Sequence, residues 1–198
     1  MSNSSAARSS FAVGGTRLAR LVLLAAASAI AMTGFVLGSA AQPSASGASE
    51  RSVKAAFLYK FTEYVAWPST SATRDAPFTI GVLGSGAFAD ELLRMTEDRT
   101  VDRRSIRVRR LSPNDAVDDL EVLFIAADQR GRLSELLSPA RGRPILTVTE
   151  SEGALGDGSI INFTVAGDRV RFEISLDAAQ ANQLKLNSRL LAVAQVIH

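Results

Sequence analysis

Two runs of alternating apolar and polar residues, 159–166 and 169–174, flank the dipeptide Gly167-Asp168. A Gly-Asp pair suits a two-residue hairpin turn, because glycine readily adopts the positive φ that the turn requires. With the turn at this pair, the apolar side chains share one face in cross-strand pairs: Val165–Val170, Phe163–Phe172 and Ile161–Ile174. The polar pairs on the other face are Thr164–Arg171 and Asn162–Glu173. Because an isolated hairpin is at best marginally stable, we predict that another element covers the apolar face.

Residues 53–67 carry apolar side chains at helical spacing and end before Pro68. The apolar stripe consists of Val53, Phe57, Phe61, Tyr64 and Val65. This spacing predicts an amphipathic helix that covers the hairpin. Tyr59 projects from the opposite side, where a core helix is normally polar.

Shorter patterns predict the remaining elements. Strands are expected at residues 78–83, 106–109, 120–127 and 145–149, and helices at 87–94, 133–137, 177–181 and 186–197. We expect Asp177 to cap the first of the two C-terminal helices, and Asn187 or Ser188 to cap the second. The order of elements predicts an α/β single-domain sandwich, with a mixed, partly parallel sheet, an antiparallel hairpin at or near one edge, and flanking helices.

The N-terminal segment has the pattern of a secretory signal peptide. Three arginines precede an apolar run at 21–37, and small residues follow up to Ala41. This pattern predicts a signal peptide over residues 1–41, cleaved near Ala41, with an uncleaved membrane anchor as the alternative. The small residues of 42–51 predict a flexible linker, which leaves residues 52–198 as the α/β domain.

Composition narrows the possible functions. The first 41 residues carry three arginines and no acid, so the formal net charge of +2 becomes −1 without them, which gives no argument for nucleic acid. The chain has no cysteine, and its single histidine is His198, so thiol and imidazole catalysis are not expected. Glu150, Glu152 and Asp157 lack the spacing of a calcium loop, and we predict neither a metal site nor a cofactor.

Gly84-Ser85-Gly86 follows a predicted strand and precedes a predicted helix, where a dinucleotide fingerprint would lie. Arg109 and Arg110 stand where the acidic residue of that fingerprint belongs. The segment therefore predicts a tight turn with close packing of strand and helix. The alternative is a nucleotide or other anion bound by Gly84, Ser85 and Gly86 at the helix N-terminus.

Aromatic and cationic side chains are candidates for contact with a partner protein, because such residues are enriched at binding hot spots. The candidates are Lys54, Tyr59, Lys60, Trp67, Arg107, Arg109, Arg169 and Arg171. Two other interpretations stay open. The aromatic residues can belong to the core, and the arginines can protect an edge strand from pairing with another chain.

Taken together, several segments resemble the YfiR family of small periplasmic proteins. The resemblance is carried by residues 53–61 with Trp67-Pro68, and by 80–84, 146–148, 161–163, 170–174 and 188–191. It implies a non-catalytic periplasmic α/β protein that binds the periplasmic domain of an inner-membrane diguanylate cyclase and represses it. It also implies sequestration by an outer-membrane lipoprotein, and thus control of cyclic-di-GMP and biofilm formation.

Two features depart from the family pattern. Some members carry cysteine pairs that this chain lacks, so redox control is not carried over, and Gly156-Asp157-Gly158-Ser159 stands where a Gly-Gly pair is expected. We therefore expect a periplasmic regulatory protein whose partners are a membrane signalling protein, a lipoprotein or a second copy of itself. The alternative is a periplasmic small-molecule or anion sensor, or a solute-binding protein.

Overall fold

The computed structural model describes residues 45–68, 76–167 and 169–198. The chain divides into two units, residues 1–42 and 43–198, and every described residue belongs to the second. The predicted signal peptide and the first residues of the predicted linker therefore lie outside the described residues.

The described residues form helices and strands in a mixed order. The α-helices are α1 (Ala45–Tyr64), α2 (Gly86–Thr96), α3 (Leu133–Leu137), α4 (Leu176–Ala181) and α5 (Ser188–Leu191). The strands are β1 (Val65–Ala66), β2 (Phe78–Leu83), β3 (Thr100–Val101), β4 (Arg104–Leu111), β5 (Val122–Ile125), β6 (Leu146–Thr149), β7 (Ile161–Ala166), β8 (Arg169–Ile174), β9 (Lys185–Leu186) and β10 (Val196–Ile197). Short 3-10 segments lie at Ala127–Arg132 and Ser138–Ala140.

The main sheet of the described residues has the strand order β10-β8-β7-β6-β5-β2-β4-β3. Neighbours from β4 to β7 run parallel, whereas β7–β8 and β3–β4 are antiparallel. Every residue of β2, β5 and β6 is buried, as expected for inner strands that are covered on both faces. The predicted mixed α/β sandwich, with its hairpin near one edge, is confirmed.

The hairpin pairs in the predicted register. Val165 lies opposite Val170, Phe163 opposite Phe172, and the remaining pairs follow. Gly167 has a φ of 61°, the positive value that favours glycine in a turn, while Asp168 lies outside the described residues. The alternating pattern fixes the register because a slip of one residue would expose the apolar set.

Helix α1 covers the apolar face of the hairpin, as predicted. The centre of the Phe61 ring lies 4.9 Å from the ring centre of Phe172 and 5.7 Å from that of Phe163. The helix begins at Ala45, so the prediction of a flexible linker is wrong for residues 45–51, which are helical. One reason is an ion pair one helical turn apart, in which Lys54 Nζ lies 2.6 Å from Glu50 Oε1.

Helices pack on both faces of the sheet. On the face that α1 covers, the Ser85 hydroxyl accepts the Phe88 N–H at 3.2 Å and begins α2. The Phe88 ring then stacks on that of Phe124 at 4.1 Å. A second apolar cluster includes Leu133, Leu136 and Leu137 of α3 together with Leu123 and Ile125 of β5.

The predicted helix at 186–197 is wrong beyond its first turn. Helix α5 ends at Leu191, and the chain then extends along β8. The N–H groups of Gln195 and His198 donate to the carbonyls of Phe172 and Ile174, each at 2.8 Å. These bonds satisfy the second half of the β8 edge, which would otherwise be open, and the β-branched Val196 and Ile197 suit a strand.

Two helix caps test the sequence predictions. Asn187 caps α5 as expected, since its side chain accepts the Arg189 N–H. Helix α4 begins one residue earlier than predicted and is capped by the Ser175 hydroxyl, which accepts the Ala178 N–H at 3.2 Å. The prediction of Asp177 as cap is therefore wrong.

Candidate functional site

Lys54, predicted as a partner contact, is 8% exposed and ties α1 to the sheet. Its Nζ lies 2.6 Å from Glu50 Oε1 and 2.6 Å from Glu150 Oε2. Burial acts to lower the pKa of Lys54, but the hydrogen bonds and charges of Glu150 and Glu50 outweigh burial and raise it. Glu150 also accepts the Ala127 N–H at 3.1 Å, so this ion pair links α1 to two loops at the carboxyl end of the sheet.

A cleft of about 600 Å³ lies beside Lys54. Carboxylates dominate its charged lining: Glu50, Glu150, Glu152 and Glu173. Parallel sheets often bind ligands at their carboxyl ends. The surplus of carboxylates makes this cleft unsuitable for an anion.

The Gly84-Ser85-Gly86 turn packs tightly. Gly84 has a φ of 101°, and a Cβ placed on it would collide with Asp128 Oδ1. The Ser85 hydroxyl already accepts an N–H of the first turn of α2. A carboxylate and a hydroxyl therefore occupy the surroundings of the helix N-terminus, where the alternative interpretation would place an anion.

Tyr59 and Lys60 lie on the outer side of α1. Tyr59 is half-buried, and the guanidinium carbon of Arg99 lies 4.8 Å from the centre of its ring, within the range of a cation–π contact. Lys60 is exposed and pairs with Glu63 at 2.7 Å. Tyr59 and Lys60, both predicted as partner contacts, are therefore neighbours on one surface. Of these two residues, Lys60 is the one that is accessible to a partner.

Trp67 packs against the amino end of β2. Its ring meets that of Phe78 edge to face, with centres 5.2 Å apart and planes at 87°. Its Nε1–H donates to the Glu121 carbonyl at 3.3 Å. Trp67 is half-buried, and these contacts give it a structural role.

Arg104 and Glu121 form a buried ion pair beside Trp67 that was not predicted from the sequence. Arg104 donates to the carbonyls of Ala76 and Pro77, each at 2.7 Å. The other Glu121 oxygen accepts the Thr79 N–H at 2.7 Å. Both charged groups are thus hydrogen-bonded, which is the condition under which a buried pair is tolerated.

Arg107 and Arg109 lie on β4, which β3 covers only at Arg104 and Ser105. Arg109 pairs with Asp119, whereas Arg107 is exposed and lines a cleft of about 360 Å³. Most of β4 is consequently an edge strand, and its charged side chains oppose pairing with another sheet.

Arg169 and Arg171 border a groove of about 570 Å³ between the first half of α1 and the tip of the hairpin. Val53 and Val165 contribute apolar walls and are 39% and 54% exposed. Neither arginine has an ion-pair partner within the described residues. We call this feature, lined by residues of 49–57 and 165–171, the tip groove.

The described residues contain neither a metal-binding cluster nor a membrane-spanning helix. Within ranges 45–68, 76–167 and 169–198, no group of three or more His, Cys, Asp or Glu side chains is arranged to hold a metal ion. In the same ranges, each helix is too short or too polar to cross a membrane.

The fold and these surfaces define a mixed α/β domain with an apolar and basic groove that the described residues leave uncovered. The sequence model of the family described as YfiR/HmsC-like matches residues 51–195. The chain therefore belongs to the YfiR/HmsC-like family, a family of periplasmic regulatory proteins. The resemblance noted in the sequence is confirmed at the level of the family.

Proposed function

We propose that this protein is a non-catalytic periplasmic repressor that binds the periplasmic domain of a membrane-bound diguanylate cyclase. The observation that carries the proposal is the family match over residues 51–195, which covers most of the folded unit 43–198. Sequestration by an outer-membrane lipoprotein would release the cyclase. An export signal over residues 1–41 is part of the proposal, because the partner's regulatory domain lies outside the inner membrane.

The physical properties of the domain agree with a role in binding. The tip groove combines exposed apolar walls with arginines that lack an internal partner among the described residues. In protein interfaces, apolar anchors provide affinity while charges steer association and fix orientation. Lys60 and Arg107 are further exposed candidates for contacts with the same partner or a second one.

The alternative of an anion sensor at Gly84–Gly86 has weaker support. Asp128 lies against Gly84, and its negative charge opposes an anion at this helix end. Thermal-shift measurements with nucleotides, phosphate and amino acids test the alternative directly. A saturable increase in melting temperature that Asp128→Asn strengthens would favour the sensor.

Deletion of the gene tests the proposed repression. We expect cyclic-di-GMP to rise in the deletion strain and to return to the wild-type level when the full chain is supplied. The protein should also co-purify from the envelope with a diguanylate cyclase. Unchanged cyclic-di-GMP after deletion, with normal expression in the wild type, would contradict the proposal.

A further inference from the structure

We propose that an extended, acidic segment of the partner adds along the free edge of β8 and inserts an apolar side chain into the tip groove. The inference rests on the proposed function for the identity of the partner. The docking surface itself is argued from the backbone pairing, the apolar walls and the charges of the hairpin.

The described strands leave one edge of β8 partly open. β8 pairs with β7 along its whole length, but β10 covers it only at Glu173 and Ile174. The carbonyls of Phe172 and Ile174 point toward β10, since they accept N–H groups from the segment that contains it. Strand alternation therefore turns the N–H and C=O of Val170 to the same side, where none of the described strands pairs with them.

Helix α1 leaves part of the apolar face of the hairpin uncovered. Val165 and Val170 continue the face on which Phe163 and Phe172 are buried. Near the tip this face opens, and Val165 is 54% exposed opposite Val53 of α1. An apolar side chain placed here would complete the packing that α1 provides farther along the hairpin.

The free edge of β8 carries positive charge beside the tip groove. Arg169 and Arg171 flank Val170 on the free edge, and both are exposed. Glu50 also lines the groove, but it is already paired with Lys54 at 2.6 Å. A strand that adds here with acidic residues beside its apolar residue would place opposite charges next to both arginines.

The same charges argue against a second copy of this chain as the occupant. A symmetric antiparallel pairing of two β8 edges about Val170 would bring Arg169 of each copy opposite Arg171 of the other. Like charges in directly opposed positions destabilise a sheet. An acidic partner strand avoids this repulsion and still makes the main-chain hydrogen bonds that give affinity in strand addition.

Site-specific photo-crosslinking shows which segment of a partner lies against the groove. The full chain carries benzoylphenylalanine at Val165 or, as a control on α2, at Leu93, which is 43% exposed. We expect an adduct at Val165 whose sequenced peptide has an apolar residue flanked by acidic ones, and no such adduct at Leu93. An adduct with a second copy, a peptide without acidic residues, or no adduct would overturn the inference.

Charge reversal gives a second readout. Arg169→Glu with Arg171→Glu should reduce the Val165 adduct at least tenfold and abolish repression. Arg130→Glu with Arg189→Glu makes the same charge change at positions outside the groove and should reduce neither. Circular dichroism melts confirm that both double variants are folded.

The two proposals fail in different ways. If deletion leaves cyclic-di-GMP unchanged but Val165 still crosslinks to an acidic segment, the proposed function is wrong and the docking surface stands. If the wild type represses and the variant with Arg169→Glu and Arg171→Glu represses equally, without an adduct at Val165, the docking surface is wrong and the function stands.

Discussion

Replacing Trp67 tests whether this side chain stabilises the fold or contacts a partner. Truncating a fully buried tryptophan to alanine costs about 3–5 kcal/mol, and Trp67 is half-buried. Its edge-to-face contact with Phe78 contributes about 0.5–1.5 kcal/mol beyond buried area, and its hydrogen bond to Glu121 about 1 kcal/mol. We therefore expect Trp67→Ala to lower the free energy of unfolding by about 3 kcal/mol, and Trp67→Phe by about 1 kcal/mol.

Urea denaturation followed by far-ultraviolet circular dichroism measures both changes. Fluorescence is unsuitable, because Trp67 is the only tryptophan of the chain. Leu93→Ala, at an exposed apolar position, is the control and should change stability by less than about 0.5 kcal/mol. If Trp67→Ala costs less than about 1 kcal/mol while repression is lost, Trp67 is a partner contact and the reasoning is refuted.

Four further substitutions test the core, the buried lysine and the glycine turn by urea denaturation. Phe61→Ala should cost about 4 kcal/mol, because the ring is 1% exposed within the aromatic cluster; a cost below about 2 kcal/mol would contradict this packing. Because the pKa of Lys54 is raised above its ordinary 10.5, its ion pairs stabilise the fold below that pH and are lost as pH rises through the raised value. Lys54→Met should abolish this loss of stability at alkaline pH. If the free energy of unfolding falls with pH equally in the wild type and in Lys54→Met, the prediction is contradicted. Gly84→Ala should lower the free energy of unfolding by about 2 kcal/mol, because Gly84 has a φ of 101° and its Cβ would collide with Asp128. Gly86→Ala should leave stability unchanged, because the space around Gly86 is free. Equal effects of the two substitutions would contradict the tight packing at Gly84.

The hairpin was predictable residue by residue because its turn and its alternation give the same register. At 133–137 the predicted helix coincides with α3, and at 78–83 the predicted strand coincides with β2. The C-terminal segment was not predictable in this way. Its apolar residues repeat at helical spacing, which favours a helix. The edge of β8 offers backbone hydrogen bonds that favour a strand instead. Hydrophobic periodicity alone does not show which of these two structures is more stable.

The candidate site was predictable in composition but not in arrangement. The aromatic and cationic candidates were located on the correct elements except Trp67, because the helix predicted over 53–67 ends at Tyr64 and Trp67 follows the strand β1. The sequence also does not show that Lys54 is buried between two glutamates. Nor does it show that Arg104 pairs with Glu121, because that ion pair joins segments that are not adjacent in the sheet. Long-range pairing of charges depends on the finished topology, whereas alternation depends only on neighbouring residues.

The buried lysine and the tip groove belong to one arrangement. Lys54 holds the first half of α1 against the loop at Glu150, and Val53, the residue before it, forms a wall of the groove. A groove whose wall is fixed in advance loses less conformational entropy when a partner strand docks. Lys54 would then support binding without touching the partner, by keeping α1 at the distance from β8 that leaves room for one apolar side chain.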